Sequence, residues 1–283
     1  MMSVRAAAAI EPVGNVTAAL GEGPYWVPED DCLLWVDIEG GRLHRTYFPS
    51  AETVTDSLSA VSAAFPAERG SQWSTRIIAE VPARDGLRFN DAGVDPAGRV
   101  WAGSMHIPEA EPVGELYRLD PGGRLTTVLK GVTVSNGLGW SPDGTRMYYA
   151  DSPLGRVDVF DYDPATGEAS ARRTFADLSA AEGVPDGLTV DLDGCVWVAM
   201  WGGSALRRLT PFGEQDAVLP VPASQPTSCA FGGPDLADLF ITTANVGLSE
   251  SERAEQPLAG RLLHVRPGPI GLPSTPAKAA IPA

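Results

Sequence analysis

The chain has 283 residues, of which 43% are hydrophobic, with 31 glycines, 25 prolines and a formal net charge of −15. That length suits one large all-β domain, and no stretch approaches the ~20 apolar residues a membrane helix needs, so no membrane partner is expected. The acidic balance, without any Lys/Arg cluster, excludes nucleic acid as a partner, and the apolar run within Met1–Ile10 is too short for a secretory signal, which makes the expected location cytoplasmic.

The predicted elements repeat. From Gly21, the run GEGPYWVPEDDCLLWVDI holds a short apolar strand, a tight turn and a second, aromatic-rich strand, and GGRLHRTY adds a third. After a gap the same grammar returns four times. It reads NDAGVDPAGRVWAGS from Asn90 with GELYRLD, SNGLGWSPDGTRMYYADS from Ser135 with GRVDVFDYD, PDGLTVDLDGCVWVAM from Pro185 with SALRRLT, and TSCAFGGPDLADLFITTA from Thr227 with GRLLHV. Period-2 runs of β-branched and aromatic residues bounded by turn residues predict strands and hairpins. Asn90, Asn136, Asp186 and Ser228 are 46, 50 and 42 positions apart, the size of a four-stranded propeller blade.

From Glu22 to Asn90 is 68 positions, too long for one blade and too short for two. AVSAAF at 60–65 is a predicted inner strand in that interval, and TRIIAEV at 75–81 reads as an outer one. The expected fold is therefore all-β, a six-bladed β-propeller with a shortened, degenerate second blade. One domain is expected over 1–266, followed by a flexible Pro/Ala-rich tail at 267–283.

Cys32, Cys195 and Cys229 lie far apart in apolar runs and read as reduced core thiols, while His44, His106 and His264 have no zinc-like spacing. Any metal would need oxygen ligands. The first strand of each blade lines the channel, so Glu22, Asn90, Asn136 and Asp186, all at its start, converge on the axis. Two carboxylates and two amides make a site for a hard cation such as Ca2+, Mg2+ or Mn2+. Asn136-Gly137 or Asp186-Gly187 taken singly reads as a turn. However, the hairpin turns already fall on Pro142-Asp143-Gly144 and Leu192-Asp193-Gly194, leaving the recurring set surplus to turn-making. Trp101, Tyr149 and Trp197 are expected in blade cores, Trp201 beside Gly202-Gly203 at a pocket rim, and His106 in a solvated loop. A nucleophile elbow and a phosphate-binding glycine loop are both missing from the sequence.

The strings GEGPYW (21–26), WVDIEGGRLHR (35–45), RFND (88–91), VDPAGRVWAGSM (94–105), SNGLGWSPD (135–143), PDGLTVD (185–191) and TSCAFGG (227–233) occur in family order, and through them the chain resembles the SMP-30/gluconolactonase/luciferin-regenerating-enzyme (regucalcin-like) family. The resemblance implies a six-bladed propeller that hydrolyses sugar lactones with a divalent cation. The expected cofactor is one such ion, Ca2+ first, with Zn2+, Mn2+, Mg2+ or Fe2+ as alternatives. Carried over by position, the metal ligands are Glu22, Asn136 and Asp186, Asp186 is also the catalytic base, and Arg88 and Asn90 contact the sugar. Where relatives carry a substrate-contacting Glu, the loop after Met105 offers Glu109 and Glu111, and Glu109 joins Trp201 in the expected substrate set. The partner expected is a small-molecule sugar lactone. The alternatives are a non-catalytic calcium-binding propeller and another metal-dependent ester or phosphoester hydrolase on the same fold.

Overall fold

A computed structural model describes residues 9–66, 79–81 and 84–278. A first strand, β1 (Glu11–Thr17), precedes four complete blades. Blade I holds β2 (Gly21–Val27), β3 (Cys32–Asp37), β4 (Arg42–Tyr47) and β5 (Thr53–Ser57). Blade II holds β6 (Leu87–Val94), β7 (Val100–His106), β8 (Gly114–Leu119) and β9 (Leu125–Val132). Blade III is β10 (Ser135–Trp140), β11 (Arg146–Asp151), β12 (Arg156–Asp163) and β13 (Glu168–Asp177). Blade IV is β14 (Val184–Val190), β15 (Val196–Trp201), β16 (Ala205–Leu209) and β17 (Gln215–Pro220). Blade V comprises β18 (Pro226–Gly232), β19 (Asp238–Thr243) and β20 (Arg261–Val265), with the one-and-a-half-turn helix α1 (Glu250–Glu255) between the last two. Its fourth strand is β1, antiparallel to β20 with Glu11 opposite His264, so the chain's own N-terminal segment covers the edge β20 would otherwise expose.

The described residues thus form a five-bladed propeller, not the six-bladed one expected. Every anchor of the repeat opens one full four-stranded sheet, including Asn90, whose blade was expected to follow a degenerate one. The predicted strand at 60–65 makes no ladder. Its three alanines and Ser62 offer little surface to a neighbour, and Pro66 closes the run without an N–H to donate. It descends beside β2 instead: the position a Cβ would take on Gly23 lies 3.5 Å from Ala63. Phe65 meets Tyr25 edge-on, with ring centroids 5.5 Å apart. Of the predicted run at 75–81, residues 75–78 lie outside the described residues, as do 1–8 and 279–283.

Turn chemistry explains the hairpins. Ser141-Pro142-Asp143-Gly144 and Asp191-Leu192-Asp193-Gly194 each close with the glycine N–H donating to the first residue's carbonyl, at 2.8 and 2.9 Å, the glycines at φ 68° and 78°. Apolar layers between blades form the core: Trp101, Leu116, Trp140 and Tyr149 between II and III, Tyr148, Leu188 and Val198 between III and IV, Trp197, Phe231 and Ile241 between IV and V, and Trp26, Trp35 and Phe240 between V and I. Trp101, Tyr149 and Trp197 are fully buried there, as expected of blade core.

Residues 267–278, expected as a tail, lie against the lower face of the ring. Leu192 N–H donates to Ile270 O and Gly271 N–H to Leu236 O, both at 2.8 Å; at the far end Ala277 N–H donates to Pro66 O and Lys278 N–H to Gly98 O. The segment therefore runs from the turns of blades IV and V to that of blade II. None of the described helices is long and apolar enough to cross a membrane.

Candidate functional site at the upper mouth

All five inner strands carry a break in ladder register near their start: between Glu22 and Tyr25, Phe89 and Ala92, Asn136 and Leu138, Pro185 and Leu188, and Pro226 and Ser228. Bulges bend a strand and re-aim its side chains. Here they sit at one height around the axis, the end we call the upper mouth. Gly23 after Glu22 is left-handed at φ 55°, whereas the glycines that follow Asn136 and Asp186 are not left-handed turn residues, since neither Gly137 nor Gly187 has a positive φ. They allow close approach of neighbouring inner strands: a Cβ on Gly137 would lie 2.6 Å from Asp186 O, and one on Gly187 2.2 Å from Ser228 Oγ.

Glu22, Asn90, Asn136 and Asp186 are each buried at this end. Asn90 and Asn136 touch, Asn90 Nδ2 donating to Asn136 Oδ1 at 2.7 Å and to Ser135 O at 2.9 Å. Arg88 Nη1 donates to Asn90 Oδ1 at 2.6 Å. Glu22 and Asp186 sense each other electrostatically, together with a carboxylate that sequence reasoning missed, Asp91. A regular strand points consecutive side chains to opposite faces, so the RFND string does not announce that Asn90 and Asp91 both serve the axis. The register break between Phe89 and Ala92 brings this about, and Asp91 lines an axial cavity of about 440 Å3 whose walls come from all five inner strands. The lower part of that cavity is apolar, with Tyr25, Leu138, Leu188 and Phe231, and Leu272–Thr275 of the C-terminal segment close against it.

The electrostatics are those of an acid cluster short of positive charge. Burial first, then Asp91, pushes the Glu22 carboxyl up to about 8; burial raises Asp91 to about 6. Asp186 is raised well above the ordinary range by burial, then by Glu22 and Asp91, and its buried Oδ1 has no hydrogen-bond partner. Arg88 is drawn down by burial while Glu39, Glu22, Glu109 and Asp186 favour its charged form. Glu109, in an exposed loop at φ 58°, therefore faces the mouth closely enough to act on both Arg88 and Asp186. Trp201 is the half-buried last residue of β15, paired with Val184 beside the Gly202-Gly203 turn. His106, expected in solvent, is half-buried with Nδ1 unbonded.

This donor set fits a divalent cation. Three buried carboxyls with raised affinity for protons, one of them with an orphaned oxygen, are the groups a cation would relieve, and carboxylate and amide oxygens suit a hard ion. Among the described residues no three His, Cys, Asp or Glu side chains gather into a metal-binding group by themselves. An ion here needs an amide oxygen such as that of Asn136 in its shell.

Residues 20–245 match the family described as SMP-30/Gluconolactonase/LRE-like region. A putative sugar lactone lactonase, YvrE, of Bacillus subtilis (strain 168) is 37% identical over 268 residues, 88% of this chain and 91% of its own. The pentonolactonase XacC of Haloferax volcanii is 36% identical over 285 residues, 92% of this chain and 95% of its own. Among solved structures, a calcium-binding protein, regucalcin, from Agrobacterium tumefaciens superposes with a TM-score of 0.91 at 26% identity, covering 96% of this chain and 97% of that one.

Proposed function

The chain belongs to the SMP-30/gluconolactonase/LRE-like family, and from that premise we propose that it hydrolyses sugar lactones at the upper mouth with one divalent cation. The observation that carries this reading is that Glu22, Asp91 and Asp186 are all buried and act on one another electrostatically, with Asp186 Oδ1 unpartnered and Arg88 acting on Glu22 and Asp186. Glu22, Asn136 and Asp186 would hold the ion, Ca2+ first by analogy with the regucalcin structure. When bound, the ion supplies Lewis acidity to the lactone carbonyl.

The chain's own groups supply the rest. Asp186 takes a proton from the attacking water as the water oxygen bonds to the carbonyl carbon. As a ligand of the ion Asp186 would owe its role as base to its placement beside the attacking water rather than to a high pKa, and its free Oδ1 has room for the water's hydrogen bond. The ring C–O bond then breaks, and the proton passes to the leaving alkoxide oxygen to give the aldonic acid. Arg88, fixed by Asn90 and by Phe89 O at 3.0 Å, is placed to donate to sugar hydroxyls and to the oxyanion as charge develops. Glu109 accepts from hydroxyls at the rim, and Trp201 offers an apolar face to the sugar ring.

The test is hydrolysis of glucono-δ-lactone and a pentonolactone by protein stripped with EDTA, then reloaded with Ca2+, Mn2+ or Zn2+. Activity lost on stripping and restored by an ion is expected. Absence of turnover on every lactone with every ion sinks the reading, and cation binding without turnover would favour a binding propeller instead.

A further inference from the structure

Four side chains around the upper mouth form one hydrogen-bonded chain, Arg88 to Asn90 to Asn136 to Ser152. Ser152 opens the short 3-10 turn after β11, is buried at 6% exposure, and accepts from Asn136 Nδ2 at 2.7 Å. Neither the cation reading nor the sugar reading gives it a role. We infer that Ser152 is a positioning residue which, with Arg88 at the other end, holds the Asn136 amide so that its oxygen rather than its nitrogen is presented to the cation. This rests on the proposal that Asn136 is a ligand.

The polarity of the chain follows from what its ends can do. A guanidinium only donates, so the atom of Asn90 facing Arg88 must be its oxygen. A backbone carbonyl only accepts, so the atom of Asn90 facing Ser135 O must be its nitrogen, and the same nitrogen donates to Asn136. The atom of Asn136 on that side is therefore Oδ1, which keeps a second lone pair for an ion. Turned over, Asn136 would set its NH2 against the NH2 of Asn90, donor against donor. Its own Nδ2 points instead to Ser152 Oγ, which can accept. The two amides are so close in shape that packing alone does not choose between their orientations. The Asn90 end does, and Ser152 Oγ, which can accept or donate, anchors the amide in the orientation that end selects. Partners in the second shell of a metal ligand typically govern metal affinity by about 10- to 100-fold.

The experiment is calorimetric titration of Ca2+ and Mn2+ into the EDTA-stripped full chain, which needs no turnover. Ser152→Ala is expected to weaken both ions about 10-fold or more. In an Asn136→Asp background the same change is expected to cost less than about twofold, because a carboxylate has two acceptor oxygens and no orientation to set. The isosteric pair Ser152→Thr and Ser152→Val repeats the comparison at constant volume, with Thr retaining affinity and Val losing it, so a poorly folding Ser152→Ala leaves the idea testable. Equal affinity in Thr and Val, an unchanged Ser152→Ala, or an equal loss in both backgrounds overturns the inference. Asn136→Leu separates it from its premise: unaltered cation binding there removes Asn136 from the ligand set, whereas a loss there beside a silent Ser152 leaves the proposed site intact and rejects only the positioning role.

Discussion

Two sets of buried acids sit in the same repeat with opposite surroundings. Asp95 and Asp191 open the hairpin turns of blades II and IV, and every oxygen is occupied. Asp191 Oδ1 accepts from Cys195 N, while Oδ2 takes Trp197 Nε1 at 2.9 Å and Arg208 Nε at 2.8 Å. Asp95 likewise takes the N–H of Ala97 and Arg99, Arg99 Nη1 and the Tyr162 hydroxyl. Each is paired with a guanidinium, and Arg208 also lies over the Trp197 ring. At the other end of the inner strands Arg88 acts on Glu22 and Asp186, each of the three acids is otherwise met by the next residue's backbone N–H, and Asp186 Oδ1 has no partner. The fold is thus able to satisfy a buried aspartate, and does so at Asp37, Asp151, Asp158 and Asp238 as well; leaving three acids undersupplied at one point marks a place organised for chemistry rather than stability.

Substitutions should split along that line. Asp186→Asn keeps shape but removes the proposed base, and kcat on a gluconolactone should fall by about 10^3-fold, within the range usual for general-base removal and equivalent to about 4 kcal/mol. The thermal midpoint of the EDTA-stripped variant should not fall, because an amide there no longer adds charge to the cluster. Retention of most of the rate would remove Asp186 from catalysis. Asp191→Ala should behave in reverse. It removes the acceptor of Arg208 Nε, Trp197 Nε1 and the Cys195 N–H while Asp193 and Asp216 still pair with Arg208, so the loss should stay below the ~3–5 kcal/mol of a fully broken buried pair, read as a lower denaturant midpoint with kcat little changed in the folded fraction. If Asp191→Ala instead spared stability and cost turnover, the two sets would not be distinct.

The cluster also predicts how pH acts on the stripped protein. Glu22 and Asp91 bind protons more tightly folded than unfolded, so folding takes up protons between the ordinary carboxylate range and the raised values. Their stabilisation is complete below the unfolded values, near pH 4.5 for Glu22, and is lost as pH rises through about 6 for Asp91 and about 8 for Glu22. Thermal midpoints in EDTA should decline across that window, and saturating Ca2+ should flatten the decline. A midpoint that climbs from pH 5 to 8 in EDTA would mean that the three carboxyls are not gathered as described.

How far the sequence reveals this depends on whether a feature is local. The turns and aromatic strands that follow Gly21, Asn90, Ser135, Pro185 and Thr227 are local, and each marks a real blade. The count fails at residues 60–65, where alternation resembles a strand but no neighbouring strand offers a ladder, a fact that only packing decides. Asn90, Asn136 and Asp186 are legible because they recur at one phase. Asp91 is not, because a bulge overrides the alternation a reader must assume, and Ser152 is not, because its bond to Asn136 depends on β11 returning beside β10. The packing of residues 267–278 leaves no periodic trace, since its backbone bonds go to scattered points (Leu192, Leu236, Pro66 and Gly98) and its apolar contacts rest on single residues such as Leu272.

The smallest expected effect concerns the rim, where the loop after Met105 offers two glutamates. Both glutamates are exposed, but only Glu109 acts on both Arg88 and Asp186. Rim contacts are solvated and contribute little, so Glu109→Gln should raise KM for a sugar lactone a few-fold, about 1 kcal/mol, with kcat nearly constant, and Glu111→Gln should change neither. An amide still accepts from a hydroxyl, so the cost in Glu109→Gln measures charge rather than a lost partner. Glu109→Ala should therefore cost more than Glu109→Gln if Glu109 touches the sugar. If the two are equal, its part is purely electrostatic, acting through Arg88. If Glu111 proves the sensitive position, the mouth is wider than the axial cluster suggests, and the undersupplied acids extend from the channel onto the loop.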